Sequence, residues 1–507
     1  MACLFITYGM QLQNPKACAT SALKSFNKIG RDKLRYVMTN TAYRKHRITL
    51  SKFASLPYAS VAIDEGSTLS IQTLHFVIES PLTDLKSYPF TSVRMNGGKA
   101  CHYIKAIPSG LRQLILSKVN IGSIVIDGNK AQLKAFSPSY KKSLYNVSDI
   151  DFKKILIIPC LCHRINNAFK RVAMQDRELN ELLKLLYDIS DKCRENQDYI
   201  GTICPKHEDT RWIYDYDIVK FLMVHKDKVS DLIEKFPQDD FSHLLKVLKV
   251  FKVLVTIFEN PHTQMKDAFI LLERGINCLY EINGFYPKEF VSMLAHSLED
   301  YTIKASDGGI WSLAYCLTPY GQADFRNRNI HSQNSIEKSY LHYFHIAEED
   351  NDEEDEEDED DKIITFDEKE EIVMNDNGQL VNTEKTDSDD DSVVEEEDDD
   401  EQCGIGTDEP GMSPIKFVNY LISAKEYLKQ LLALRKLNKQ QIKEAMASFN
   451  SYIDDNEPFS DYINANENFS WIQIRNSVVN WTDIADIAER LLNSATSEAS
   501  CERTILF

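Results

Sequence analysis

The sequence predicts a mixed α/β core joined to a large helical region, with an acidic stretch dividing the helical part. Three observations carry this reading. Short apolar runs of strand character recur between about residues 53 and 174, and helical spacing of apolar residues takes over from about 178. Between Glu348 and Glu401, 30 acidic residues meet only 3 lysines.

The elements follow in order. Residues 1–52 are a basic, helix-patterned segment whose "YRKHR" (Tyr43–Arg47) reads both as a solvated helix face and as a weak nuclear localisation signal. "YASVAID" (Tyr58–Asp64) is a buried-strand run, "TLSIQTLHFVI" (Thr68–Ile78) alternates as a second strand, and "SYPFTSVRM" (Ser87–Met95) reads as a third. A helix is expected over "SGLRQLILSKV" (Ser109–Val119). "GSIVID" (Gly122–Asp127) and "KKILIIPC" (Lys153–Cys160) are continuous apolar runs of the parallel-strand kind, the second leading into helical "HRINNAFKRVAM". Strands first paired and then alternating with helices give an α/β order over 53–222. Residues 223–345 are helical, as in "FSHLLKVLKVFKVLVTIFEN" (Phe241–Asn260), closed by Pro261, and "QMKDAFILLERGINCLYEI" (Gln264–Ile282). The acidic linker, 346–412, is too polar to offset its ordering entropy and is expected to be disordered. Helices resume over 413–470, and 471–507 is a separate terminal block.

Composition narrows the function classes. The net charge is −20, but outside the acidic stretch 48 acids face 55 bases, so the rest of the chain is mildly basic and compatible with nucleic acid. There is no apolar run long enough for a membrane span, and no basic region precedes the apolar N-terminal patch as in a secretory signal. Eleven cysteines scattered through 507 residues fit a reducing compartment better than a disulfide framework.

Asp64 and Asp127 each close an apolar run and are followed by Gly within two residues. At the functional edge of an α/β sheet such a pair can share divalent cations, and a third carboxylate would complete a two-metal phosphodiester site. Oxygen-only ligands select Mg²⁺ or Mn²⁺. The plain alternative is a turn residue or helix cap. Two C-x-x-H pairs, Cys160/His163 and Cys204/His207, have the residue types of a tetrahedral zinc site. The spacing is not specific to zinc and about 40 residues separate the halves, so no structural zinc is expected. In the terminal block, Thr496 and Ser497 are N-cap residues, Glu498 adds charge to a first turn and Glu502 follows one turn later.

Together, "VAIDEGST", "SIVIDGNKAQLKAF", "PCLCHRINNAF", "DTRWIYDYDIVKFL" and "IADIAERLLNSATSEASCERTILF" resemble, in this order, the hAT superfamily of DNA transposases over about two fifths of the chain. The resemblance implies an RNase H-like core interrupted by a large all-α insertion domain. It implies Asp64, Asp127 and Glu502 as the catalytic acids holding Mg²⁺ or Mn²⁺. Cys160 and His163 would lie near the scissile strand, and Arg211 and Trp212 on the DNA, the tryptophan stacking on a flipped base. The implied activity is hydrolysis at transposon ends, hairpin formation on flanking DNA and strand transfer into target DNA by a homo-oligomer in the nucleus.

The sequence departs from that pattern at its ends. It lacks a preceding BED-type finger, "TILF" stands where the family continues with Phe-Ser, and the sequence stops five residues past Glu502. The expectation is therefore a chain that binds DNA through its basic core and cleaves it feebly. The rival readings are a catalytically inactive nuclear DNA-binding protein derived from a transposase, and a protein-interaction module built on the helices and the acidic stretch.

Overall fold

A computed structural model of the chain describes residues 31–68, 71–81, 85, 87–207, 215–285, 288–327, 414–454, 471, 474 and 481–499. The acidic segment expected to be disordered lies outside them. The chain divides into one unit from Met1–Phe344 with Met412–Phe507, and a second, His345–Gly411, that falls in the undescribed part.

The first unit is mixed α/β and mostly helical. After α1 (Arg31–Ala54) come β1 (Ala59–Thr68), β2 (Ile71–Glu79) and β3 (Tyr88–Met95), then α2 (Ala100–Leu116), β4 (Ile121–Ile126), α3 (Lys130–Ala135) and β5 (Leu156–Pro159). The five strands form one mixed sheet in the order β3-β2-β1-β4-β5. β1, β2 and β3 pair antiparallel, while β1–β4 and β4–β5 are parallel. The buried runs "IGSIVI" and "LIIP" form the two parallel strands, as continuous apolar character requires.

One face of the sheet packs Val61, Ile63, Leu74, Phe76, Ile124 and Ile126 under α2. That helix begins at Ala100, nine residues before the start expected from sequence, and carries Pro108 in its interior. Pro108 forgoes one backbone bond, but Tyr103, Ala106, Ile107, Leu111 and Leu114 form a buried stripe that continues across it. Burying such side chains contributes about 1.5–3 kcal/mol each, enough to outweigh a proline. The basic "YRKHR" segment lies on α1, where His46 stacks on Phe90 at 5.6 Å and meets the Tyr88 hydroxyl at 2.7 Å.

The longer helices after β5 pack on one another. They are α4 (Leu161–Gln175), α5 (Arg177–Glu195), α6 (Asp215–Val224), α7 (Gln238–Glu259), α8 (Met265–Phe285), α9 (Glu289–Tyr301), α10 (Gly309–Cys316), α11 (Pro319–Asn327), α12 (Pro414–Leu434), α13 (Lys439–Ile453) and α14 (Thr482–Leu492). α4 turns Ile165, Ala168, Phe169 and Val172 into this layer, with Phe169 edge-on to Phe251 of α7 at 5.3 Å. α10 lies directly against α12. A Cβ on Gly309 would stand 2.4 Å from the Ser423 carbonyl oxygen and 2.9 Å from the Tyr427 Cβ. Gly309→Val must therefore separate two helix backbones. The expected result is a loss of about 3 kcal/mol, read as a lower urea midpoint; an unchanged midpoint would show that α12 is not held there.

Candidate functional site

Ile63 of β1 pairs with Ile126 of β4, so the next residues, Asp64 and Asp127, leave adjacent parallel strands side by side. The strands are about 4.8 Å apart. Alternation puts both carboxylates on the face away from α2, the face that also carries Ser60 and Ser123, whose hydroxyls bond at 3.0 Å. Asp64 does not end its strand, as the sequence had suggested. Its pairing with β4 stops at Ile63, but pairing with β2 continues to Thr68↔Ile71, and Asp64 faces His75 across that ladder.

β5 delivers the next group. The Cys160 N–H donates to the Ile126 carbonyl at 2.9 Å and Cys160 becomes the N-cap of α4. His163 therefore sits in the first turn, where the positive end of the helix dipole points at the carboxylates. Its Nε2 lies 3.3 Å from Asp127 Oδ1, and its Nδ1 forms a close ion pair with Glu498 Oε1.

Glu498 comes from the far end of the chain, and the sequence reading did not count it among the site residues. Three bonds fix its approach. The Leu161 N–H donates to the Thr496 carbonyl at 3.1 Å, and the Thr496 and Ser497 hydroxyls donate to the Phe258 carbonyl at 3.3 and 2.8 Å. The two residues read as N-cap candidates thus tie the segment to the C-terminus of α7. Glu498 is 1% exposed, and its Oε2 is buried without a hydrogen-bond partner.

Crowding sets the electrostatics. Burial first, then the charge of Glu498, raise the Asp64 carboxyl to about 7, against the Glu65 N–H that donates to it at 2.7 Å and against His163. Burial likewise raises Asp127, with His163 opposing and Glu498 adding. Burial lowers His163, but the charge of Glu498 and hydrogen bonds to Cys160 and Glu498 outweigh it and push the imidazole up to about 12. Burial raises the Cys160 thiol. A fourth carboxylate, Glu65, points to the α2 side and accepts from the Tyr103 hydroxyl. Carboxylates crowded in this way around one imidazolium form a site that favours added positive charge.

The other sequence candidates are placed as follows. Cys204 meets the Ser190 hydroxyl at 3.4 Å, and His207 pairs with Asp215 at 2.7 Å while stacking on Tyr187 at 4.0 Å. The two C-x-x-H pairs therefore have separate partners. Arg211, Trp212 and Glu502 lie outside the described residues. Among the described residues no helix is long and apolar enough to cross a membrane. No family model matches the chain, and no curated protein matches its sequence.

Proposed function

We propose that this chain is a hAT-type DNA transposase or a protein derived from one, with an RNase H-like core that performs phosphodiester cleavage and strand transfer at DNA ends. The observation that carries the reading is the parallel placement of Asp64 and Asp127 at the β1–β4 junction of a β3-β2-β1-β4-β5 sheet, met by a carboxylate from the chain's last segment. The sequence resemblance supplies the family, and the sheet order and carboxylate convergence support it.

The donor set fits hard divalent cations. Asp64 and Asp127 offer adjacent oxygen ligands whose pKa values are raised by burial and by the charge of Glu498. Asp64, Asp127 and a terminal-segment acid, Glu502 by its motif, would hold Mg²⁺ or Mn²⁺. Bound there, the cations stabilise charge on the attacking and leaving oxygens of a phosphodiester. The chain's own part is positional. The α4 N-terminus places the positive end of its helix beside the carboxylates, with His163 next to Asp127, where a scissile phosphate is attracted and oriented. Asp127 and Glu498 fix the direction of both ring nitrogens.

The test uses the full chain and duplexes carrying the ends of the element that encodes it. Nicking at those ends in Mg²⁺ or Mn²⁺, and none in EDTA, is the expected result. Parallel Glu498→Gln and Glu502→Gln variants show which terminal acid serves the pair. A chain that binds these ends yet leaves them intact in both cations is not a transposase enzyme.

A further inference from the structure

The geometry points to a second metal site beside the Asp64–Asp127 pair: a Zn²⁺-type ion held by Cys160 Sγ, His163 Nδ1 and Glu498, clasping the terminal segment to the N-terminus of α4. One ligand atom from each of the three residues lies within 4.8 Å of the other two. Thiolate, imidazole and carboxylate together select zinc or cobalt and disfavour Mg²⁺, which demands oxygen. The site therefore differs in chemistry from the oxygen-only site proposed for catalysis, and it does not depend on that reading.

Further observations point to a ligand. Cys160 and Glu498 are each 1% exposed, and Glu498 Oε2 is buried without a partner. The other ring nitrogen of His163 lies 3.3 Å from Asp127 Oδ1. A metal-bound imidazole characteristically donates its second N–H to a carboxylate, which fixes tautomer and ring orientation. The frame is held from both sides, by the Cys160 N–H on Ile126 O and by the Leu161 N–H on Thr496 O. The His163 side chain is 30% exposed, leaving an entry path and a fourth position for water. Metal bonds of 2.0–2.3 Å make tetrahedral edges of roughly 3.3–3.8 Å. The ion would replace the direct His163–Glu498 contact, with modest side-chain rotation bringing the sulfur in.

Co²⁺ titrated into the full chain is the probe. The expected result is one ion per chain with a thiolate-to-cobalt charge-transfer band, displaced by Zn²⁺. Cys160→Ser should abolish the band, and Glu498→Gln should weaken binding at least about 10-fold. His163→Gln gives the same comparison without touching the buried thiol, should Cys160→Ser lose its fold. Cys204→Ser should keep the band. Asp64→Asn should also keep it, because it removes the proposed catalytic pair and spares these ligands, so failure of one site is distinguished from failure of the other. Absence of the band in the unaltered chain, or a band that survives both Cys160→Ser and His163→Gln, overturns the site.

Discussion

Asp64→Asn is expected to reduce Mg²⁺-dependent nicking at least about 100-fold, the scale of losing one preorganised electrostatic group, while making the cation-free protein more stable above pH 7. The two effects share one cause. Burial and the charge of Glu498 lift the Asp64 carboxyl from 3.8 to about 7. Below the unfolded value the group is protonated whether the chain is folded or not, and it has no effect. Between about 4 and 7 the unfolded chain releases the proton and the folded chain retains it, so the folded state loses stability as pH rises. Above 7 the full penalty stands, on the order of 2–4 kcal/mol at 1.36 kcal/mol per pKa unit. Asn carries no charge and can still accept from the Glu65 N–H. Melts at pH 5 and pH 8 should therefore show the variant gaining more on the unaltered chain at pH 8 than at pH 5. Adding Mg²⁺ at pH 8 should stabilise the unaltered chain and leave Asp64→Asn unmoved. A variant that melts lower at pH 8 without cations would show that Asp64 is a structural carboxylate and that the crowding has no functional meaning.

The strands were legible because burial on both faces leaves a continuous apolar signature, as in "IGSIVI", and because an Asp closing such a run marks where pairing with the neighbouring parallel strand stops. Two element boundaries needed adjusting. α2 starts before Pro108 because a buried stripe outweighs a local breaker. β1 outlasts Asp64 because an antiparallel partner continues after the parallel one has ended. The Asp64–Asp127 pair could be read locally, each from its own strand, but Glu498 could not. Its local pattern is that of any helix first turn. What makes it part of the site is a set of hydrogen bonds from Thr496 and Ser497 to α7 and from Leu161 to Thr496, between segments far apart in sequence. No periodicity reports such contacts. The nearest available signal is the hydroxyl pair itself: the Ser497 hydroxyl accepts from the Ala499 N–H at 3.3 Å as a cap does, but both hydroxyls also donate to the Phe258 carbonyl at the end of α7, which no local pattern shows. The same limit applies to His207, whose partner Asp215 closes the stretch bearing Arg211 and Trp212.

Replacing Arg490 of α14 should be the most damaging single change to the fold that the terminal block offers. Its guanidinium lies 4.1 Å from the Tyr58 ring centroid, donates Nε to Asp486 at 2.8 Å, and reaches the Ile121 carbonyl at 3.1 Å and the Tyr58 hydroxyl at 3.3 Å. Tyr58 in turn donates to Asp486, and Arg435, in the turn just after α12, pairs with the same carboxylate at 2.8 Å. One side chain thus joins α14 to the starts of β1 and β4, the strands that carry Asp64 and Asp127. Burial pushes the Asp486 carboxyl up, but Arg490, Tyr58 and Arg435 outweigh it and hold it below the usual range. A depressed carboxylate contributes stability above its unfolded pKa and loses it as pH falls through the folded one. Arg490→Met keeps much of the volume but removes a donor from the Ile121 carbonyl and leaves Asp486 with fewer partners, a loss of about 3 kcal/mol or more. Arg490→Lys restores the charge but cannot aim donors in three fixed directions, so it should recover only a minor part. Urea unfolding at pH 7, at pH 4 and below it checks both claims. The gap between Arg490→Met and the unaltered chain should persist at pH 4 and narrow only below the unfolded carboxylate value of 3.8, as Asp486 protonates in the folded chain. If Arg490→Lys unfolds with the unaltered chain at pH 7, charge alone suffices and the planar geometry holds nothing together.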